Sequence, residues 1–201
     1  MKLVIMTKPT FFVEEDKILT SLFEEGMDNL HLCKPDTEPL YSERLLTLLP
    51  EDEYGKITVH GHFYLKEEYG LHGIHLDSDG DIPAGYKGRF SKTCSSLDGL
   101  KAAGKRAECV FLAHTFGSEA GDGGGSPFSE AQLKEASRKG AIDKKVYAYG
   151  GVSLETVPKA KDLGFGGVVV GSDLWDRFDI HNQQDYKELM NHFEKLRKAA
   201  G

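Results

Sequence analysis

The sequence predicts one α/β domain, a (β/α)8 TIM barrel over residues 1–201, and three observations predict it. Short apolar or β-branched runs alternate with helix-compatible segments from end to end, the pattern of parallel strands joined by crossover helices. About eight such runs fit into a chain this short, which favours a closed barrel over an open sheet. The last two, Val146-Tyr147-Ala148-Tyr149 and Gly167-Val168-Val169-Val170, both break into glycine at their C-terminal ends, as Gly150-Gly151 and as Gly171-Ser172. Barrel strands end this way where backbone N–H groups cup a phosphate, because a Cβ would hold its oxygens off the amides.

The strands are expected at 3–7, 30–33, 57–60, 73–76, 90–93, 109–113, 146–149 and 167–170. Helical spacing is expected at 14–25, 41–49, 65–70, 97–104, 130–139 and 154–163. Ser129 followed by Gln132, and Ser153 followed by Thr156, have the character of helix starts. Tyr186, Leu189, Met190, Phe193 and Leu196 share one face of an amphipathic closing helix. The connection after Leu76 is too short and polar for a full helix, and Asp122-Gly123-Gly124-Gly125-Ser126 reads as a loop after the sixth strand. Nothing marks a domain boundary or linker.

Composition narrows the function classes. A formal net charge of −7 without a basic stripe argues against nucleic acid or an anionic membrane as partner. No apolar run approaches membrane-spanning length, and Met1-Lys2-Leu3-Val4-Ile5-Met6 enters a strand rather than a signal peptide. The three cysteines, Cys33, Cys94 and Cys109, lie in or beside apolar runs with no CxxC spacing, which fits a reduced, cytoplasmic protein.

The chain resembles the thiamin phosphate synthase/TenI superfamily of TIM barrels over nearly its whole length. The resemblance is carried by Leu30-His31-Leu32, Gly73-Ile74-His75-Leu76, Tyr149-Gly150-Gly151-Val152 and Gly167-Val168-Val169-Val170-Gly171-Ser172. It implies a site at the C-terminal face, with a substrate phosphate held by amides around Gly150, Gly151, Gly171 and Ser172. Several family positions are changed. Cys33 stands where the family usually has arginine. His60 and Gly61 replace the synthase's Asn-Asp pair for substrate and Mg²⁺, Gly121 replaces a loop lysine, and Thr93 and Ser95 replace a serine and a histidine. These losses remove most of the electrostatic stabilisation a pyrophosphate leaving group needs, so synthase activity is not expected. Val110-Phe111-Leu112-Ala113-His114-Thr115-Phe116 is similar to the TenI branch, which also has glycine at the position of Gly61. That resemblance implies a thiazole tautomerase-type isomerase of thiamin metabolism, with His114 as acid/base on a thiazole phosphate carboxylate and no metal or other cofactor. A homodimer is compatible with this reading.

Two further classes remain open. One is a repurposed or engineered barrel with a Cys-His dyad for ester hydrolysis, Cys33 as nucleophile and His60 or His114 as base. Strands two and three of a barrel are neighbours, which brings Cys33 near His60, and a thiol beside an imidazole can ionise. Against it, a small buried apolar residue is the plainer reading of Cys33. The other class is a non-catalytic binder of phosphate ligands. The partner in all three is a small molecule, phosphate-bearing or an ester. His31, Thr93, Tyr147 and Tyr149 are expected to line its pocket, although the tyrosines also suit core packing. His60-Gly61-His62 with His31 or His114 has zinc-ligand character but lacks a placed carboxylate, so no metal is expected. His75 reads as a core histidine and Lys8 as a solvated lysine. The Asp77-Ser78-Asp79-Gly80-Asp81 turn reads as solvated: its twelfth position is Gly88 rather than the glutamate of a calcium loop, and Asp79 or Asp81 would be remnants of a magnesium carboxylate.

Overall fold

A computed structural model describes residues 1–78, 80–117, 125–179 and 186–201. Eight strands, β1 (Lys2–Met6), β2 (Leu30–Cys33), β3 (Ile57–His60), β4 (Gly73–Leu76), β5 (Phe90–Cys94), β6 (Val110–Leu112), β7 (Val146–Tyr149) and β8 (Gly167–Val170), follow one another around a closed barrel. Every neighbouring pair is parallel, and Lys2 to Ile5 of β1 pair with Gly167 to Val170 of β8 to close it. The TIM barrel expected from the alternation is present. Among the described residues no helix is long and apolar enough to cross a membrane.

Crossover helices cover the outside: α1 (Glu15–Glu24), α2 (Pro39–Leu48), α3 (Tyr64–Tyr69), α4 (Leu100–Ala103), α5 (Glu130–Arg138), α6 (Val157–Asp162), α7 (Ser172–Trp175) and α8 (Lys187–Ala200). The start of α5 is a capping box: Gln132 N–H donates to the Ser129 hydroxyl at 3.2 Å, and Ser129 N–H donates to the Gln132 side chain at 2.8 Å. At 153–156 the expected helix start is a turn, with Ser153 N–H on Thr156 Oγ1 at 2.8 Å, so α6 begins only at Val157. The segment expected at 97–104 shortens to α4 because Gly99 and Gly104 flank it. Glu51–Lys56 adds a 3₁₀ turn, and among the described residues no helix lies between β4 and β5.

Alternation sorts the strand residues into two layers. Leu3, Ile5, Leu30, Leu32, Ile57, Val59, Ile74, Val110, Leu112, Val168 and Val170 pack outward under the helices. The inner column has a polar and an apolar half. Beside β6, β7, β8 and β1 it holds Val4, Met6, Cys109, Phe111 and Val169, with Cys33, Tyr147 and Tyr149 packed against them. From β2 to β5 the same layer carries His31, Thr58, His60, His75, Ser91 and Thr93. Phe111 is the seam, its ring centroid 4.8 Å from His31 and 4.6 Å from His75.

Closure also demands a glycine at the entry to β8. A Cβ at Gly166 would lie 1.8 Å from the Lys144 carbonyl oxygen, which is backbone and cannot step aside. Gly166→Ala is therefore expected to cost about 2–4 kcal/mol in chemical denaturation, while Gly55→Ala, with open space around its Cβ position, should cost well under half of that.

Candidate functional site

The glycine-rich ends of β7 and β8 sit at the C-terminal mouth, and the structure explains their glycines more fully than ligand access does. Gly150 and Gly151 are left-handed, with φ of 89° and 64°. A Cβ at Gly150 would meet the Gly117 carbonyl at 2.6 Å and the His114 backbone at 2.9 Å; one at Gly151 would meet Gly117 N at 2.5 Å. Both glycines thus let the turn after β6 lie directly on the end of β7. Thr115 N–H donates to the Tyr149 carbonyl at 2.8 Å and Phe116 N–H to the Gly150 carbonyl at 3.0 Å. Gly171 differs, because a Cβ there would have Met6 as its nearest contact at 3.9 Å. Among the described residues nothing else fills that room.

Two long-range contacts hold the β8 end. Trp175 Nε1 donates to the Met6 carbonyl at 2.6 Å, pinning α7 across β1. Asp173 accepts from Leu154 N–H at 3.2 Å and from His192 Nε2 at 2.7 Å, tying α7 both to the loop after β7 and to α8. Sequence reasoning missed the Asp173–His192 contact, whose partners lie 19 positions apart on different helices.

His114 stands at the exit of β6 with its side chain exposed and its backbone left-handed at φ 54°. This conformation is uncommon for a residue with a Cβ. It places His114 beside Gly150, at the rim of the glycine-lined mouth.

The other expected site residues divide by depth. Cys33 and His60 are register partners on β2 and β3. Burial, with the nearby Asp77 carboxylate, pushes the Cys33 thiol up to about 11, and burial pulls the His60 imidazole down to about 3. Both shifts favour the neutral forms, the opposite of what a thiolate–imidazolium pair needs. His60 Nε2 shares its hydrogen bond with His31 Nδ1 at 2.9 Å. Thr93 bonds His75 Nε2 at 2.8 Å. Tyr149 lies at mouth level, whereas His31 and Tyr147, one alternation step deeper, line a cavity of about 30 Å³ at the N-terminal end of the barrel. His31 and Tyr147 are accordingly placed away from the mouth pocket expected for them.

His62 does not continue the inner face with His60. The chain turns at Gly61 (φ 74°), and His62 bonds the Thr37 carbonyl at 3.0 Å. His75 takes its place among the imidazoles. Lys34, the cation next to Cys33, does not stand in for the family arginine either. It is buried, bonding Glu15 and the Thr10 carbonyl, with its ammonium 4.5 Å from the centre of the Phe11 ring. Gly121 and Asp79 lie outside the described residues.

The donors suit magnesium poorly. Mg²⁺ takes hard oxygen ligands in a strict octahedron. The end of β3 offers an imidazole and a glycine, and Asp77 and Asp81 are exposed on the loop after β4. The described residues do not fit the family's Mg²⁺, and no step is derived through it.

These features define a (β/α)8 barrel whose candidate site is a glycine-lined C-terminal mouth with an exposed histidine on its rim. The chain matches no protein-family model and no curated protein. It is similar to the crystal structure of a thiamine phosphate pyrophosphorylase from Bacteroides thetaiotaomicron, with 46% identity, coverage of 100% of this chain and 98% of that one, and a TM-score of 0.91. A thiamine phosphate pyrophosphorylase from Pyrococcus furiosus shares the fold at 16% identity, covering 99% and 95% of the two chains with a TM-score of 0.73. The chain belongs to the thiamine phosphate pyrophosphorylase family, within the thiamin phosphate synthase/TenI superfamily.

With its thiol at about 11 against an ordinary 9.0, Cys33 carries on the order of a hundredfold less thiolate at pH 8 than a free cysteine. Peptide mapping after iodoacetamide should show Cys33 alkylated at about a hundredth of the rate of an unperturbed thiol. Complete labelling of Cys33 within minutes would contradict the burial argument.

Proposed function

We propose that the chain is a TenI-like isomerase that binds a small molecule bearing a phosphate, with thiazole phosphate carboxylate as the specific expectation. The phosphate sits on amides around Gly150, Gly151, Gly171 and Ser172, and His114 moves the proton. The observation that carries this reading is the contact between the His114 turn and Gly150. It supports an imidazole at the edge of a mouth in which Gly171 leaves room for a ligand. A tautomerisation removes a proton from one position of the substrate and returns one to another. A single imidazole can do both, as base and then as acid, with no net change in the protein.

Loss of synthase activity is part of the proposal. Pyrophosphate departure needs concentrated positive charge, and the described residues at the positions of the family's arginine and Asn-Asp pair are Cys33, His60 and Gly61. Ester hydrolysis by a Cys33–His60 pair finds no comparable support, because burial raises the Cys33 thiol to about 11 and lowers the His60 imidazole to about 3. Whether the barrel serves in the cytoplasm or as a homodimer belongs to the same proposal and does not alter the chemistry.

His114→Asn is the informative variant, since asparagine accepts the left-handed backbone that the position requires. Solvent-deuterium exchange into thiazole phosphate carboxylate, followed by NMR, should fall by about a hundredfold or more. Affinity for the same ligand should stay within about threefold. Unchanged exchange, or a tenfold loss of affinity with little change in rate, would remove His114 from the acid/base role.

A further inference from the structure

The inner column carries a feature that the C-terminal site does not use. His31, His60 and His75 come from three consecutive strands, and one ring nitrogen of each lies within 4.8 Å of the others. His31 Nδ1 and His60 Nε2 are 2.9 Å apart. Both nitrogens of His75 are oriented by hydroxyls, Nδ1 by Ser91 at 2.7 Å and Nε2 by Thr93 at 2.8 Å. Among the described residues His31 Nε2 and His60 Nδ1 have no hydrogen-bond partner. Hydrogen bonding therefore engages only part of what these rings offer.

We propose that His31, His60 and His75 form a binding site for a divalent transition-metal ion of the zinc or cobalt class, inside the barrel and apart from the phosphate mouth. Nitrogen donors select these ions over magnesium and calcium. Three protein nitrogens with a fourth position for water is the ligand count of an open zinc site. Tetrahedral coordination at Zn–N distances near 2.0–2.1 Å places ligand nitrogens about 3.3 Å apart. The His31–His60 separation opens by a few tenths of an ångström to reach this, and the widest separation closes by roughly 1.5 Å. His60 and His75 are stacked, 14° from parallel with centroids 4.2 Å apart, so one ring turns about its soft second side-chain torsion to converge.

The proton balance is simple. The proton shared by His31 Nδ1 and His60 Nε2 moves to the far nitrogen of the ring that carries it, and both rings ligate as neutral imidazoles. When one nitrogen of His75 takes the metal, the other donates its N–H to the remaining hydroxyl, Ser91 or Thr93. That is the outer contact by which ligand histidines are ordinarily held. The cavity of about 30 Å³ reaches His31, Thr58 and Ser91 from the N-terminal end of the barrel. Its rim carries Glu108, which bonds His72, so an entering cation passes a carboxylate on the opposite side from the substrate.

The test uses the whole protein, stripped with chelator and titrated with Co²⁺. Expected are one equivalent bound, visible d–d absorption of four- or five-coordinate Co²⁺, displacement by Zn²⁺ and a Tm that climbs with Zn²⁺ concentration. His60→Gln should abolish the absorption, and His72→Gln at the rim should leave it intact. If His60→Gln does not fold, the wild-type Co²⁺ form should show three paramagnetically shifted imidazole N–H signals in its proton NMR spectrum. Absence of Co²⁺ and Zn²⁺ binding at millimolar metal, absorption that survives His60→Gln but is lost in His72→Gln, or fewer than three shifted imidazoles would each overturn the site.

Discussion

Barrel closure makes eight short strands share one inner column, and whatever each strand points inward must be packed or hydrogen-bonded by the others. The column meets this demand in two ways. From β6 around to β1 it is filled by aliphatic, aromatic and thiol groups. From β2 to β5 it is filled by histidines and hydroxyls, with His31 bonded to His60 and His75 to both Ser91 and Thr93. The two halves meet at Phe111, whose ring lies tilted at 39° and 33° against the imidazoles of His31 and His75. Burial then sets the chemistry, since imidazoles and thiols in this environment stay neutral, as the shifts of Cys33 and His60 show.

The same economy shapes the mouth. The turn after β6 is laced onto the end of β7 through Tyr149 and Gly150, so the segment carrying His114 is fixed relative to the glycine pair. Asp173 links the loop after β7 to α7 and to α8. A ligand bridging the ends of β7 and β8 would therefore meet backbone held in place before it arrives, which reduces the ordering cost of binding.

Much of this was legible in the sequence. The runs at 30–33, 57–60, 73–76, 146–149 and 167–170 coincide with strands, because each is an apolar or β-branched run bounded by turn residues. Helix ends were less legible, as the shortened α4 and α6 show, since local turns at Gly99 and Thr156 compete with helical spacing. At the site, both glycine-bearing strand ends were readable but half of the reason for Gly150 and Gly151 was not, because the turn at 114–117 that crowds them comes from another strand. His60-Gly61-His62 was readable as a motif, but its two imidazoles part where Gly61 turns left-handed and His62 bonds the Thr37 carbonyl. The buried Lys34–Glu15 pair and the joining of His75 to His31 and His60 are tertiary events. Nothing local marks Glu15 among its acidic neighbours as the one that faces inward.

The central claim is that the mouth holds a phosphate ligand of thiazole type beside His114, and calorimetric titration tests it most directly. Thiazole phosphate carboxylate and inorganic phosphate are titrated separately into the same protein. The account predicts micromolar binding of the thiazole with one site per chain, at least about tenfold tighter than phosphate. Equal affinity for the two ligands, or no heat from either at millimolar concentration, would contradict it.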